Sequence, residues 1–307
     1  MSELDFTDRV VIVTGAGRGI GRAHAELLGA RGASVVVGDL GIGADGTGAA
    51  DSGPAAAIVA AGGRAVACNA DVATEEGANA LVEASLSAFG HLDAVINNAG
   101  IVRTAPFNEV PDEEYQRHLD VHFFGPMRLC RAARPHLVKS PAGRVVNTIS
   151  QAMLGNPGMS HYGGSKGALF GLTRNLAIEG LDAGIKVNAI APGAGTRMAE
   201  AAADSLAPEV VEYVRTQLLP EQISPVAAYL VHPSCTITGE VFNVAGGQVN
   251  RLAPLNTTGI YDPALTVEKV ADSIEVIMSV TSEAVPQVIA RIQHGTMRSE
   301  WVTPLAV

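Results

Sequence analysis

The chain has 307 residues, 47% of them hydrophobic, enough for a sizeable core in one large α/β domain or in two. A net charge of -10 argues against nucleic acid and anionic membrane surfaces as main partners, but not against a small phosphate-bearing ligand in a local pocket. No apolar run reaches membrane-spanning length and "MSELDFTDRV" has no apolar signal core; three scattered cysteines without CxxC suit free thiols and a cytoplasmic location.

The first predicted strand, "RVVIVTG", runs into "TGAGRGIG", Thr14 to Gly21, which opens a helix over Arg22–Arg31. Gly15 permits the turn, Gly19 lets backbone approach a pyrophosphate, and Gly21 allows close helix–sheet packing. Arg18 and Ile20 complete this cradle, where the helix N-terminus offers free N–H groups and positive dipole to phosphates. "SVVVGDLG" is the second strand. It ends in Asp39, eighteen residues after Gly21, where an acid accepts both adenosine ribose hydroxyls and repels a 2′-phosphate. That selects NAD as cofactor, with Arg18 the counter-signal. The Gly- and Ala-rich stretch Gly41–Ala57 is expected to be a surface loop.

"RAVACNADV" is the third strand; Asp71 at its end is placed to accept from the adenine amine, with Val72 beside it. A helix over Glu75–Phe89 follows. "LDAVINNAG" is the fourth strand. Its asparagines can knit neighbouring strands, while Asn98, Ala99 and Gly100 let the chain pass under the cofactor. Asp112–Leu137 reads as helix and contains "LDVHFFGPM" with His122. His118 and His122 stand four apart, a metal-ligand spacing, but the motif is "HLDVH" and no further His/Cys cluster accompanies it. No metal is expected.

The fifth strand, "GRVVNTIS", ends at Ser150. A helix over Tyr162–Ala183 opens with "YGGSK", which puts Tyr162 and Lys166 on one face. A free tyrosine titrates near 10; an ammonium ~4 Å away contributes about 4 kcal/mol to the phenolate at an effective dielectric near 20. Tyr162 is therefore the candidate base for an alcohol proton, and Lys166 also holds the nicotinamide ribose. Gly163 and Gly164 suggest close packing against cofactor or a partner helix. "IKVNAIAPG" and "GEVFNVAGG" are the sixth and seventh strands. Pro192 and Gly193 turn beside the nicotinamide, and Thr196 can bond its amide or the pyrophosphate. Ala194–Pro220 is read as a substrate cover, with Met198, Leu206 and Val210 toward an acyl chain.

All seven strands are continuous apolar runs, expected to be buried on both faces. Alternation with helices specifies an α/β fold: a doubly wound, seven-stranded parallel sheet (Rossmann fold) with a C-terminal helical extension. The division expected is a Rossmann-fold cofactor-binding and catalytic domain over 1–248 and an extension over 249–307. In the extension Thr266 caps one helix, in which Val267, Val270, Ala271, Ile274, Ile277 and Met278 form an apolar face that must pack on something.

"TGAGRGIG", Asp39, "NADV", "NNAG" and "YGGSK", in this order, resemble the short-chain dehydrogenase/reductase family from Asp5 to about Gln248. The resemblance implies that Ser150 bonds the substrate oxygen. Three features depart from the usual family pattern: His122 replaces an asparagine, Ser150 precedes Tyr162 by twelve residues rather than thirteen, and Thr196 lies one residue early in "APGAGTRM". With "LGNPGMSHY" and the long tail, these departures are similar to the (3R)-hydroxyacyl-CoA dehydrogenase units of peroxisomal multifunctional enzymes. The resemblance implies an NAD-dependent oxidoreductase on 3-hydroxyacyl-CoA and 3-oxoacyl-CoA, with Ser150, Tyr162 and Lys166 catalytic. His122 is read as a relay or support residue. A steroid, terpenoid or other secondary alcohol is the alternative substrate, and a non-catalytic NAD-binding regulator the distant alternative. The expected partner is a small-molecule substrate, with no nucleic acid and no membrane, and the expected assembly a homodimer or homotetramer.

Overall fold

A computed structural model of the chain describes residues 3–41, 53–195, 208–280 and 285–286. The chain divides into two compact units, 1–250 and 251–307. The first is built on one sheet of strands β1 (Val10–Thr14), β2 (Ser34–Asp39), β3 (Arg64–Asn69), β4 (Ala94–Asn97), β5 (Arg144–Thr148), β6 (Lys186–Gly193), β7 (Val241–Ala245) and β8 (Gln248–Leu252). Their spatial order is β3-β2-β1-β4-β5-β6-β7-β8. The seven predicted strands pair in parallel throughout, as in β1 with β2 and β4, and β6 with β7.

Helices cover both faces. Helices α1 (Gly19–Ala30), α2 (Gly53–Ala60) and, later in the chain, Ser224–Val231 cover one. Val11, Val13, Val35, Val37, Ile96 and Val244 meet Leu28, Ile58 and Leu230 there. On the other lie α3 (Glu75–Phe89), α4 (Asp112–Leu119), α5 (Gly125–Leu137) and α6 (Ser160–Glu179). Leu81, Leu129, Leu137 and Leu169 are fully buried among them. Branched residues on both sides of each central strand explain why those runs are uninterrupted.

Three expectations for the first unit change. Sheet pairing does not stop at Gly247. Gly246 and Gly247 take φ of +55° and +78°, the pair of positive φ angles that a tight two-residue hairpin favours, and β8 returns beside β7. β3 is not buried on both faces, because it is the edge strand and its side chains are largely open. The stretch expected to be loop, Gly41–Ala57, runs into a helix, Gly53–Ala60: alanines favour it, Pro54 tolerates its first turn, and Ile58 is buried where a Cβ on Gly29 would strike it. Residues 42–52 of that stretch lie outside the described residues.

The next helices are α7 (Pro208–Gln217) and α8 (Ser224–Val231). Of the proposed substrate cover, Met198 and Leu206 fall outside the described residues, as does the side chain of Val210. In the second unit, β9 (Leu255–Asn256) pairs antiparallel with β10 (Val285–Pro286). Thr266 does cap a helix, accepting from the Lys269 N–H. The single helix expected there is two short ones, α9 (Val267–Asp272) and α10 (Ile274–Met278), parted at Ser273. Among its apolar residues, Val267 and Met278 are exposed in the single chain.

Candidate active site

The carboxyl ends of the strands open into a cleft of about 1280 Å³. It lies where the strand order reverses, between β1 and β4, the place where this architecture leaves a crevice. Every residue singled out as catalytic or cofactor-binding lines it except Gly21 and Thr196. Thr196 lies outside the described residues.

At one end sits the glycine-rich turn. Gly15 and Gly19 take φ of +61° and +52°, which a side chain would resist. Gly21 is needed for a different reason. A Cβ there would drive into the Gly15 carbonyl and the Asn98 amide, so its smallness serves the contact between turn and β4. The N-cap of α1, Arg18, makes no side-chain capping bond. Arg18, Gly19 and Ile20 line the cleft, so the uncapped first turn of α1 is available to an anionic ligand there. Asp39 ties the turn down: its carboxylate accepts the Gly17 N–H at 2.8 Å and the Gly41 N–H at 2.7 Å. Each oxygen keeps a lone pair for a hydroxyl. Asp71 accepts the Ala73 N–H at 2.9 Å and closes the far side. The glycine-rich turn and the two carboxylates, Asp39 and Asp71, line one groove, and that donor and acceptor set fits a dinucleotide.

The asparagines do knit strands. Asn97 donates to Asn147 Oδ1 at 2.8 Å across β4 and β5, and Asn147 donates to Thr173 of α6 at 2.9 Å. Asn98 donates to the Thr14 and Gly15 carbonyls. Thr14, which sequence reasoning missed, accepts the N–H groups of Asn98 and Ala99 through its hydroxyl. A hydroxyl at a strand end was the only signal for it.

At the other end, Tyr162 and Lys166 project from the first turns of α6. Lys166 Nζ donates to the Thr148 carbonyl at 2.7 Å and lies 5.8 Å from the centre of the Tyr162 ring. Ser150 lies two residues past β5, as the N-cap of the 3-10 turn Gln151–Leu154; its hydroxyl accepts the Ala152 N–H at 3.2 Å and favours the Tyr162 phenolate. With the shorter interval, Ser150 and Tyr162 still line the same cleft. Gly163 is tight for a reason other than cofactor or partner helix: a Cβ would strike the Ala152 carbonyl. A Cβ on Gly164 would meet nothing.

The titration of these groups corrects the sequence expectation. Burial pushes Tyr162 up, partly opposed by the Ser150 hydrogen bond. Burial also brings Lys166 down from 10.5 to about 7. Both charged forms lose hydration in the same enclosed place, and sequence spacing carries no information about that loss.

His122 is fully buried at a π-helical turn, Asp120–Phe124, that interrupts the run from α4 to α5. Its Nε2 accepts the Ile101 N–H at 3.0 Å, and its Nδ1 lies 2.8 Å from the Ser165 hydroxyl. His118 lies 5.5 Å away, ring to ring, its Nδ1 donating to the Glu114 carbonyl at 2.8 Å. Ile101 and Ser165 went unnoticed in the sequence because neither residue type marks a partner for a histidine. Asn243 of β7 and Gln248 and Asn250 of β8 also line the cleft, and the last two were missed with the eighth strand. Cys130 and Cys235 are buried free thiols, Cys68 a half-buried one.

With a dinucleotide groove running into a Ser–Tyr–Lys cluster, the fold and cleft are those of a nicotinamide-dependent oxidoreductase. Residues 9–206 match the short chain dehydrogenase family, and the chain belongs to it: an oxidoreductase acting on CH–OH groups with NAD or NADP. It is 43% identical over 270 residues to a Mycobacterium tuberculosis protein described as a short-chain type dehydrogenase/reductase, covering 86% of this chain and 92% of that one. It is 37% identical over 317 residues to mouse peroxisomal multifunctional enzyme type 2, covering 99% of this chain but only 42% of that longer protein. A crystal structure of a Mycobacterium avium short chain dehydrogenase superposes with a TM-score of 0.74 at 37% identity, over 89% of this chain and 97% of that one. Among the described residues no helix is long and apolar enough to cross a membrane.

Proposed function

We propose that the chain is an NAD-dependent dehydrogenase that interconverts a secondary alcohol and its ketone, with 3-hydroxyacyl-CoA and 3-oxoacyl-CoA as the pair. The observation that carries the catalytic reading is the meeting of Ser150, Tyr162 and Lys166 at the end of a groove that begins at the glycine-rich turn. Asp39 supports NAD over NADP: a carboxylate at the ribose end is complementary to two hydroxyls and repels a phosphate. Likeness to the mouse multifunctional enzyme across 99% of this chain, tail included, supports the acyl-CoA class. A homodimer or homotetramer is the assembly this reading expects.

The bound dinucleotide supplies the hydride acceptor, and the protein's own groups handle the proton. Ser150 donates to the substrate oxygen, and Tyr162 takes the alcohol proton. Burial alone opposes the phenolate, so a cation must stand beside it. Protonated Lys166, with its Nζ 5.8 Å from the ring centre, is that cation. Its Coulomb contribution at such a distance is about 3 kcal/mol at an effective dielectric of about 20, worth about two pKa units.

Initial rates with 3-hydroxyacyl-CoA thioesters and with free steroid, terpenoid and simple secondary alcohols test the substrate. Brisk steroid oxidation without CoA-thioester turnover would overturn the acyl-CoA class. Tyr162→Phe tests the mechanism: turnover is expected to fall by about a hundredfold or more with binding of NAD retained. Wild-type turnover in that variant would remove Tyr162 from the chemistry.

A further inference from the structure

The hydrogen bonds around His122 form a chain with a single direction. A backbone N–H only donates, so Nε2, which takes the Ile101 N–H, carries no proton. The ring proton is then on Nδ1, facing the Ser165 hydroxyl. That hydroxyl donates its own proton to the Tyr162 carbonyl at 2.8 Å, so toward His122 it can only accept. Donors therefore run from Ile101 to His122, from His122 to Ser165, and from Ser165 to the backbone of Tyr162. His122 and Ser165 are both buried, and both ring nitrogens are consumed inside the protein.

The linked elements are the two walls of the reacting centre. Ile101 follows Gly100 on the loop after β4, and Ser165 stands between Tyr162 and Lys166 in the first turns of α6. A Cβ on Gly100 would lie 3.1 Å from His122 Nε2 and 3.7 Å from Lys166 Nζ, so imidazole and ammonium converge on one point of the wall. An asparagine ends one bond short of Nε2 and cannot hold both partners on this backbone. Burial, helped by the nearby Lys166 charge and by His118, also keeps the imidazolium form out of reach.

We propose that His122 is a positioning residue rather than a proton carrier: locked as the neutral Nδ1–H tautomer, it clamps the catalytic turn of α6 to the β4 loop through Ser165. This rests on the catalytic reading of Tyr162 and Lys166, and it gives Ser165 an equal share in the clamp.

Two measurements on the whole enzyme test it. Nitrogen-15 NMR of histidine-labelled protein is expected to show His122 as the neutral Nδ1–H tautomer, without titration across about pH 5 to 8. His122→Asn and Ser165→Ala are each expected to lower kcat by about tenfold to a hundredfold at unchanged KM and unchanged pH profile. The double variant should be no slower than His122→Asn alone, and Ser165→Thr should recover the rate. A His122 resonance that titrates near neutrality, with a matching acid limb in the pH–rate profile that His122→Asn abolishes, would make it a relay and overturn the clamp. So would wild-type kcat in Ser165→Ala. Should Ser165→Ala not fold, the wild-type tautomer decides alone. The tautomer is read without substrate, so it stands apart from failure of the catalytic reading, which Tyr162→Phe reports.

Discussion

Lys166→Met is expected to destroy turnover and yet stabilise the unliganded fold. Lys166 is almost fully buried, and burial lowers its pKa from 10.5 to about 7. The difference of about 3.5 units corresponds to about 5 kcal/mol charged against the fold. The unfolded chain binds the proton between pH 7 and 10.5, where the folded chain releases it. The cost is thus complete below about pH 7 and is relieved as pH rises toward 10.5. Methionine keeps the apolar stem and removes the charge, but leaves the Thr148 carbonyl without its 2.7 Å donor. An unpaired buried acceptor costs about 1–3 kcal/mol. The net expectation is a gain of about 2–4 kcal/mol at acidic and neutral pH, fading as pH approaches about 10. Urea denaturation of wild type and variant near pH 6 and near pH 9 measures it. A variant less stable than wild type near pH 6, or a difference that does not change with pH, would refute the reasoning.

Two further outcomes are expected. Wild type should favour NAD over NADP by about a hundredfold in kcat/KM, because each unit of phosphate charge ~5 Å from Asp39 costs about 3 kcal/mol at an effective dielectric of about 20. Asp39→Asn should erase most of that preference while also loosening the turn, since an amide cannot accept from both Gly17 and Gly41 through the same two atoms; a wild type that prefers NADP would defeat the assignment. His24 is buried against the Ser224 hydroxyl at 2.8 Å, and burial brings its pKa from 6.5 to about 3. The unfolded chain takes that proton first, so stability should fall by up to about 5 kcal/mol as pH drops from 6.5 toward 3. The double variant His24→Leu with Ser224→Ala should flatten this acid limb, and parallel losses in both proteins would place the acid sensitivity elsewhere.

What the sequence determined by itself was local or periodic. Continuous apolar runs specified parallel strands covered on both faces, and the central strands β1, β2, β4, β5 and β6 meet that expectation. The glycine-rich turn, Asp39, Asp71, "NNAG" and the Tyr162–Lys166 spacing were legible because each depends on backbone conformation or on residues a turn apart. Residue order along the chain also fixed which strand ends would share a cleft, since crossover rules leave few arrangements. The tertiary structure decided what depends on approach through space. The helix at Gly53–Ala60 needed Ile58 to find the gap at Gly29. The openness of β3 came from its place at the sheet edge. Tyr162 and Lys166 move away from their charged forms because enclosure removes water from both, which no spacing encodes. His122 is the sharpest case. Its partners lie 21 and 43 residues away, and only the folded backbone fixes which ring nitrogen bears the proton, and so whether an imidazole at that position can carry protons or only hold the helix in place.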